Sequence, residues 1–232
     1  MRIEDVIKEK IQYIEDSTNN TVRCREEEKI QAGACIDWER WSGQEMAKLP
    51  WILHKHGIEP VHIFHELIHL EKFFIDHYSL IATNSRQLHG IMGVYKNIPE
   101  DYVTHKLIFH TYGFDPIDRT WFERKDTLGY SVDQIAANLV NYHAFIEFCP
   151  EFNVSYQRFH EQVRQRKRRA FNMSERAISA LESMAVDDRA SYNECADKLI
   201  QIFTPNYYGS ESVPNTIYTA YLRKSGHLWA WV

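Results

Sequence analysis

Apolar residues at Ile3, Val6, Ile7, Ile11 and Ile14 recur at three- and four-residue intervals, a spacing that predicts an amphipathic helix over residues 3–16. Ser17 to Asn20 end it. Residues 22–31 carry Arg23, Arg25, Glu26, Glu27, Glu28 and Lys29, a solvated stretch compatible with an exposed strand or a helix. Residues 34–56 hold Trp38, Trp41 and Trp51 without a regular period, so no strand is assigned there. The pattern then changes. Val61 to Leu80 contains neither Gly nor Pro, and Ile, Leu and Phe fall on nearly every face. A helix apolar all round is a buried one, and Pro60 suits its start. The pattern predicts a helix over 61–82.

Beyond it the punctuation is regular. Thr83-Asn84-Ser85 can cap a helix over 86–95. Pro99 opens a helix over 99–112, and Gly113 closes it. Phe114 to Leu128, with Asp115-Pro116 and Asp126-Thr127, reads as a loop. Ser131 or Asp133 starts a helix that runs to Phe148 and stops before Pro150. Helices follow at 154–170, 174–186 and 188–203, their starts marked by Ser155, Ser174 and Asp187 or Asp188, with Pro205 after the last. Residues 206–232, with Gly209, Pro214, Gly226 and many aromatics, read as loop plus one or two strands. The fold class expected is a helix-rich α+β. A weak boundary near 150–154 would separate a core over 1–150 from a helical C-terminal extension over 151–232, unless the whole chain is one domain.

Composition narrows the classes. The chain has 232 residues, 44% hydrophobic and 25% charged, with 9 Gly and 7 Pro, the profile of a compact, breaker-poor protein. A net charge of −5 exerts no global pull toward nucleic acid or anionic membrane. Cys24, Cys35, Cys149 and Cys195 form no C-x-x-C pair, which leaves a cysteine zinc site without support. Dispersed cysteines, an amphipathic rather than signal-like N-terminus and no long apolar run point to a cytoplasmic protein that does not span a membrane. There is no Walker loop, Rossmann glycine fingerprint or Gly-x-Ser-x-Gly elbow.

The stretch that carries chemistry is His65-Glu66-Leu67-Ile68-His69, an H-E-x-x-H. On a helix, positions i and i+4 share one face, so His65 and His69 can direct two imidazoles at one ion. Glu66 is placed to take the proton of a water there. Burying two histidines and a glutamate is costly unless they are paired or bound to metal. Residues 60–75 resemble the active-site helix of zincin-type metallopeptidases. That resemblance covers one helix. It implies a zincin-like domain with a small sheet flanking the helix, Zn2+ on His65 and His69, and Glu66 as general base.

Catalytic zinc takes a third protein ligand. The metzincin pattern would need Gly at 72 and His at 75, where this chain has Lys72 and Ile75. Ten of the 12 histidines fall between His54 and His143. Among them His105 is the preferred third ligand, with Asp101 one turn back on the same helix to fix its tautomer. Asp101 itself, Glu100, Asp133 and His89 stay open. Asp133 to Asn138 faintly resembles the ligand-bearing helix of gluzincin membrane peptidases and of ImmA/IrrE-like peptidases, although Asp133 also fits a helix N-cap. His89-Gly90 resembles a later ligand of SprT-like proteases.

Two further signals are weighed. Arg164 to Arg169 is a basic run whose plain reading is a solvated helix end and whose functional reading is a phosphate-contacting patch. The tail His227 to Val232 reads as a strand docking on the core. The expected function is an intracellular zinc metallopeptidase acting on a protein or peptide substrate. The alternative is a binding or regulatory module on a zincin scaffold, nucleic-acid-associated through 164–169.

Overall fold

The protein is described by a computed structural model covering residues 2–30, 32–38, 40, 47–117, 119, 128–210, 212–220, 222–225 and 228–231, the last two stretches by backbone alone. It is helix-rich α+β, with eight α-helices and small sheets among the described residues. Two compact units emerge, one of residues 1–78, 108–116 and 221–232 and the other of 79–107 and 117–220. None of the helices described is long and apolar enough to cross a membrane.

The first unit opens with α1 (Ile3–Thr18), the helix its stripe predicts, with Val6 and Ile14 buried and Asn19 closing it at φ 54°. Strands β1 (Arg23–Glu26), β2 (Ala34–Ile36) and β3 (Trp51–His54) form a sheet in the order β1-β3-β2. β1 runs parallel to β3, and β2 antiparallel to it. β1 alternates half-buried and exposed positions, which settles the charged stretch as a strand. β2 and β3 span only three and four residues, too short to print a period on the sequence, so tertiary pairing makes them. Trp41 lies outside the described residues.

Helix α2 (Pro60–Phe74) carries the H-E-x-x-H and packs on α1 and β2. Phe64, Leu67, Ile68, Leu70 and Phe73 are essentially inaccessible. Trp38 meets Phe73 edge-on at 5.1 Å, and Phe64 meets Tyr112 at 4.9 Å. Lys10 ties α1 to α2 through a 2.6 Å ion pair with Glu71. Burial opposes the Lys10 charge, but Glu71 and Tyr112 together more than offset it, so the ammonium titrates above its ordinary range.

The predicted extent of that helix, to residue 82, is corrected. The Ile75 and Asp76 N–H groups both donate to the Glu71 carbonyl, and His77 turns left-handed at φ 57°. Residues 80–83 are instead a strand, paired antiparallel with residues 217–220. That partner lies far along the chain, and no local pattern announces it.

Residues 108–116 belong to the first unit and carry π-helical turns (Leu107–Tyr112) closed by Gly113 at φ +73°. Strands β6 (Leu222–Ser225) and β7 (Leu228–Trp231), numbered after β4 (Leu80–Thr83) and β5 (Ile217–Ala220) of the second unit, form a hairpin. The tail's expected side-chain docking lies outside the described residues, as does the Asp126-Thr127 turn.

The second unit holds the β4 (Leu80–Thr83) and β5 (Ile217–Ala220) pair with α3 (Arg86–Met92), α4 (Ile98–Lys106), α5 (Val132–Phe145), α6 (Asn153–Arg166), α7 (Arg168–Glu182) and α8 (Arg189–Phe203). The C-terminal end of the chain thus supplies three strands where one or two are expected. α5 packs on α6 and α7, and α7 on α8, so residues 150–154 sit inside this unit. Ala136, Ala137, Ala170 and Ala177 are fully buried and let these helices approach closely. Ser131 caps α5, accepting from the Gln134 N–H, and Asp188 caps α8, accepting from the Ala190 N–H.

The expected break before Ser174 is also corrected. The chain breaks at Lys167 (φ −135°, ψ 55°) and α7 runs straight through Ser174. Ser174 is buried and donates to the Phe171 carbonyl at 2.8 Å, so its hydroxyl is satisfied within the helix and does not end it. The basic run therefore spans the end of α6 and the start of α7.

Candidate metal centre

The apolar residues of α2 fix its rotation. With Phe64, Leu67, Ile68 and Leu70 buried, His65 and His69 share the remaining stripe. Their rings stand edge to face, centroids 4.3 Å apart at 80°, and the two Nε2 atoms lie 2.6 Å apart. Without an ion, one nitrogen must donate and the other accept, so both rings cannot be cationic there. His69 is 6% exposed.

The third member is an acid. Asp101 stands in the first turn of α4, where its N–H donates to the Asn97 carbonyl at 2.8 Å. Ligand atoms of His65, His69 and Asp101 all lie within 4.8 Å of one another, and this group can hold a metal ion.

The donor chemistry fits. Two neutral imidazoles and one carboxylate are a ligand set that divalent transition metals accept while keeping positions open. A tetrahedral ion with metal–nitrogen bonds of about 2.0–2.1 Å holds two nitrogens roughly 3.3 Å apart. Loading would thus part the two Nε2 atoms by about 0.7 Å, a rotamer adjustment at one turn's separation.

The other sequence candidates fall elsewhere. His105 is buried and meets Phe145 edge-on at 4.7 Å and Phe148 at 6.4 Å. It does not join the histidine pair in the group. Glu100 and Asp133 are half-buried and likewise outside it. Asp133 sits in the first turn of α5, and its charge bears on Tyr95. His89 is exposed and, with Asp101, Asn97, Gln134, Asn138 and Asn141, lines a cleft of about 500 Å³ in the second unit. Glu66 is half-buried beside His65 on α2. The sequence reading sees Asp101 chiefly as a support for His105. They stand four residues apart on one helix, so helical counting cannot rank them.

No family model, no curated protein and no solved structure matches this chain.

Proposed function

We propose that the chain is an intracellular zinc metallopeptidase with His65, His69 and Asp101 as metal ligands and Glu66 as general base. The observation that carries the reading is the H-E-x-x-H histidine pair, Nε2 to Nε2 at 2.6 Å on a buried helix, with an acidic side chain completing a three-ligand group. Asp101 replaces His105 as the preferred third ligand on that ground.

Zinc in this position supplies Lewis acidity, polarising a carbonyl and acidifying water near neutral pH. The chain's own groups do the rest. Glu66, adjacent to His65, accepts the proton of the attacking water and returns it to the departing amine. His65 and His69 would hold the ion through their Nε2 lone pairs. Asn97 and Asn141, on the cleft that Asp101 also lines, offer carboxamides that both donate and accept, the pairing an extended peptide backbone needs.

The test is elemental mass spectrometry of the full chain and of the His65→Ala/His69→Ala variant, with cleavage of a quenched-fluorescent peptide library. One zinc per chain, lost in the double variant, and turnover abolished by Glu66→Gln with zinc retained are the expected results. Iron in place of zinc would overturn the peptidase, since two histidines and a carboxylate also serve oxygen-activating iron. Full proteolysis by the Glu66→Gln chain would overturn its mechanism.

A further inference from the structure

A second site stands apart from the histidine pair, on α7. Arg168, Arg169, Asn172 and Arg176 fall within about a 100° arc of the helix, and all four are exposed. Together they form one wall of a cleft of about 530 Å³, whose other side is Ile202, Phe203 and Pro205 at the end of α8.

The charge balance there is unusual. Arg164, in the preceding helix, is neutralised by Glu161 through two 2.7 Å hydrogen bonds. Among the described residues, Arg168, Arg169 and Arg176 have no carboxylate or other hydrogen-bond partner. The first turn of α7 contains no acid, so Arg168 and Arg169 stand where the helix dipole favours negative charge. Three guanidiniums in a concavity, uncompensated in a chain of net charge −5, are an arrangement that an anion completes.

We propose that this cleft binds a small organic phosphate through Arg168, Arg169 and Arg176, with Asn172 donating a further hydrogen bond. Guanidinium forks match phosphate oxygens in pairs. The volume lies in the range of small-ligand sites, and the Ile202–Phe203–Pro205 wall gives the ligand's apolar portion a surface. A small ligand is favoured over nucleic acid because the acidic chain as a whole repels a long polyanion. The working cations are thus not the run 164–169 but a helix face that reaches Arg176.

The experiment is calorimetric titration of the full chain with adenosine diphosphate at about 50 mM salt, where phosphate contacts are least screened. The expected result is saturable one-to-one binding, weakened about tenfold or more by Arg168→Gln/Arg169→Gln/Arg176→Gln. Arg164→Gln leaves it unchanged, because Arg164 is already paired. The His65→Ala/His69→Ala chain keeps the binding too, which separates this site from phosphate held by a metal. All four arginines are exposed, so the variants fold, and circular dichroism checks that they do. Four results overturn the proposal: no saturable binding, equal weakening by Arg164→Gln, loss with the histidine pair, or binding of a single-stranded oligonucleotide without binding of the diphosphate.

Discussion

Helices α2 and α7 are of equal length, 15 residues, and each places polar groups of one kind on a single face. They meet opposite constraints. His65 and His69 are set in a helix whose neighbours Leu67, Ile68 and Leu70 are at most 1% exposed. There a polar atom without a partner costs on the order of 1–3 kcal/mol, so the imidazoles must find one another, a carboxylate or an ion. Arg168, Arg169 and Arg176 are in water, which satisfies them at no such cost. A buried polar pair implies a partner by the energy of burial alone. An exposed charge face implies one only when its neighbours fail to balance it, as the missing acid at the α7 start shows.

The largest effect that tests this contrast lies under the histidines. Leu67→Ala removes a fully buried side chain from the residue row that turns His65 and His69 to one side. It should cost about 2–5 kcal/mol in urea unfolding and loosen the histidine pair with it. A loss under about 1 kcal/mol would mean that α2 does not set the ligand direction. Next in size is chelation. If the histidine group holds its metal at about a hundred times the dissociation constant, a chelator should lower stability by roughly 3 kcal/mol. The His65→Ala/His69→Ala and Asp101→Ala chains should be insensitive to it, whereas His105→Phe should respond like the parent. A chelator response kept in Asp101→Ala and lost in His105→Phe would restore His105 as the third ligand.

The parts of this molecule that its sequence displays are those in which burial is periodic. The stripe Ile3–Ile14 yields α1 within two residues, and Ser131 marks the first turn of α5 through its own hydrogen bond. The parts it hides depend on partners remote in the chain. β4 pairs with residues 217–220, so Leu80 to Thr83 reads as more helix until its partner is known. Ser174 looks like a cap because serine often caps, but the buried row Ala170, Met173 and Ala177 carries the helix past it. The same limit applies at the candidate site. The H-E-x-x-H is a local spacing and fully legible. The choice between Asp101 and His105 is not, because the two stand one helical turn apart on α4 and no spacing within α4 ranks them.

Tyr95 gives a smaller, sharper test of what burial demands of a polar atom. It is 1% exposed, hydrogen-bonds with Thr204, and stacks on Phe203 with ring centroids 4.8 Å apart. Burial, assisted by the charge of Asp133, outweighs the Thr204 hydrogen bond and pushes the phenol up to a pKa of about 12. The folded-state pKa is thus above the unfolded value of about 10. The stability linked to the neutral phenol is present in full below pH 10 and is lost as pH rises through about 12. Tyr156 titrates in the same direction. Tyr95→Phe should therefore cost about 1 kcal/mol at neutral pH through the lost hydrogen bond and flatten the fall in stability between pH 10 and 12. An unchanged alkaline profile would show that Tyr95 ionises without opening the fold.

The smallest expected effect runs in the opposite direction. Replacing Arg168 and Arg169 by Glu puts acids in the first turn of α7, where the macrodipole is favourable to them and where none stands now. Both residues are exposed, so no core contact is lost. The thermal midpoint should rise by about 1–3 °C, while diphosphate binding disappears. A stabilised chain that no longer binds the anion would show that the arginines are held against the helix's own electrostatics for the sake of a ligand. A midpoint that falls would mean that these arginines make a stabilising contribution within the fold, and the exposed face of α7 would then resemble α2 in finding its partners inside the molecule.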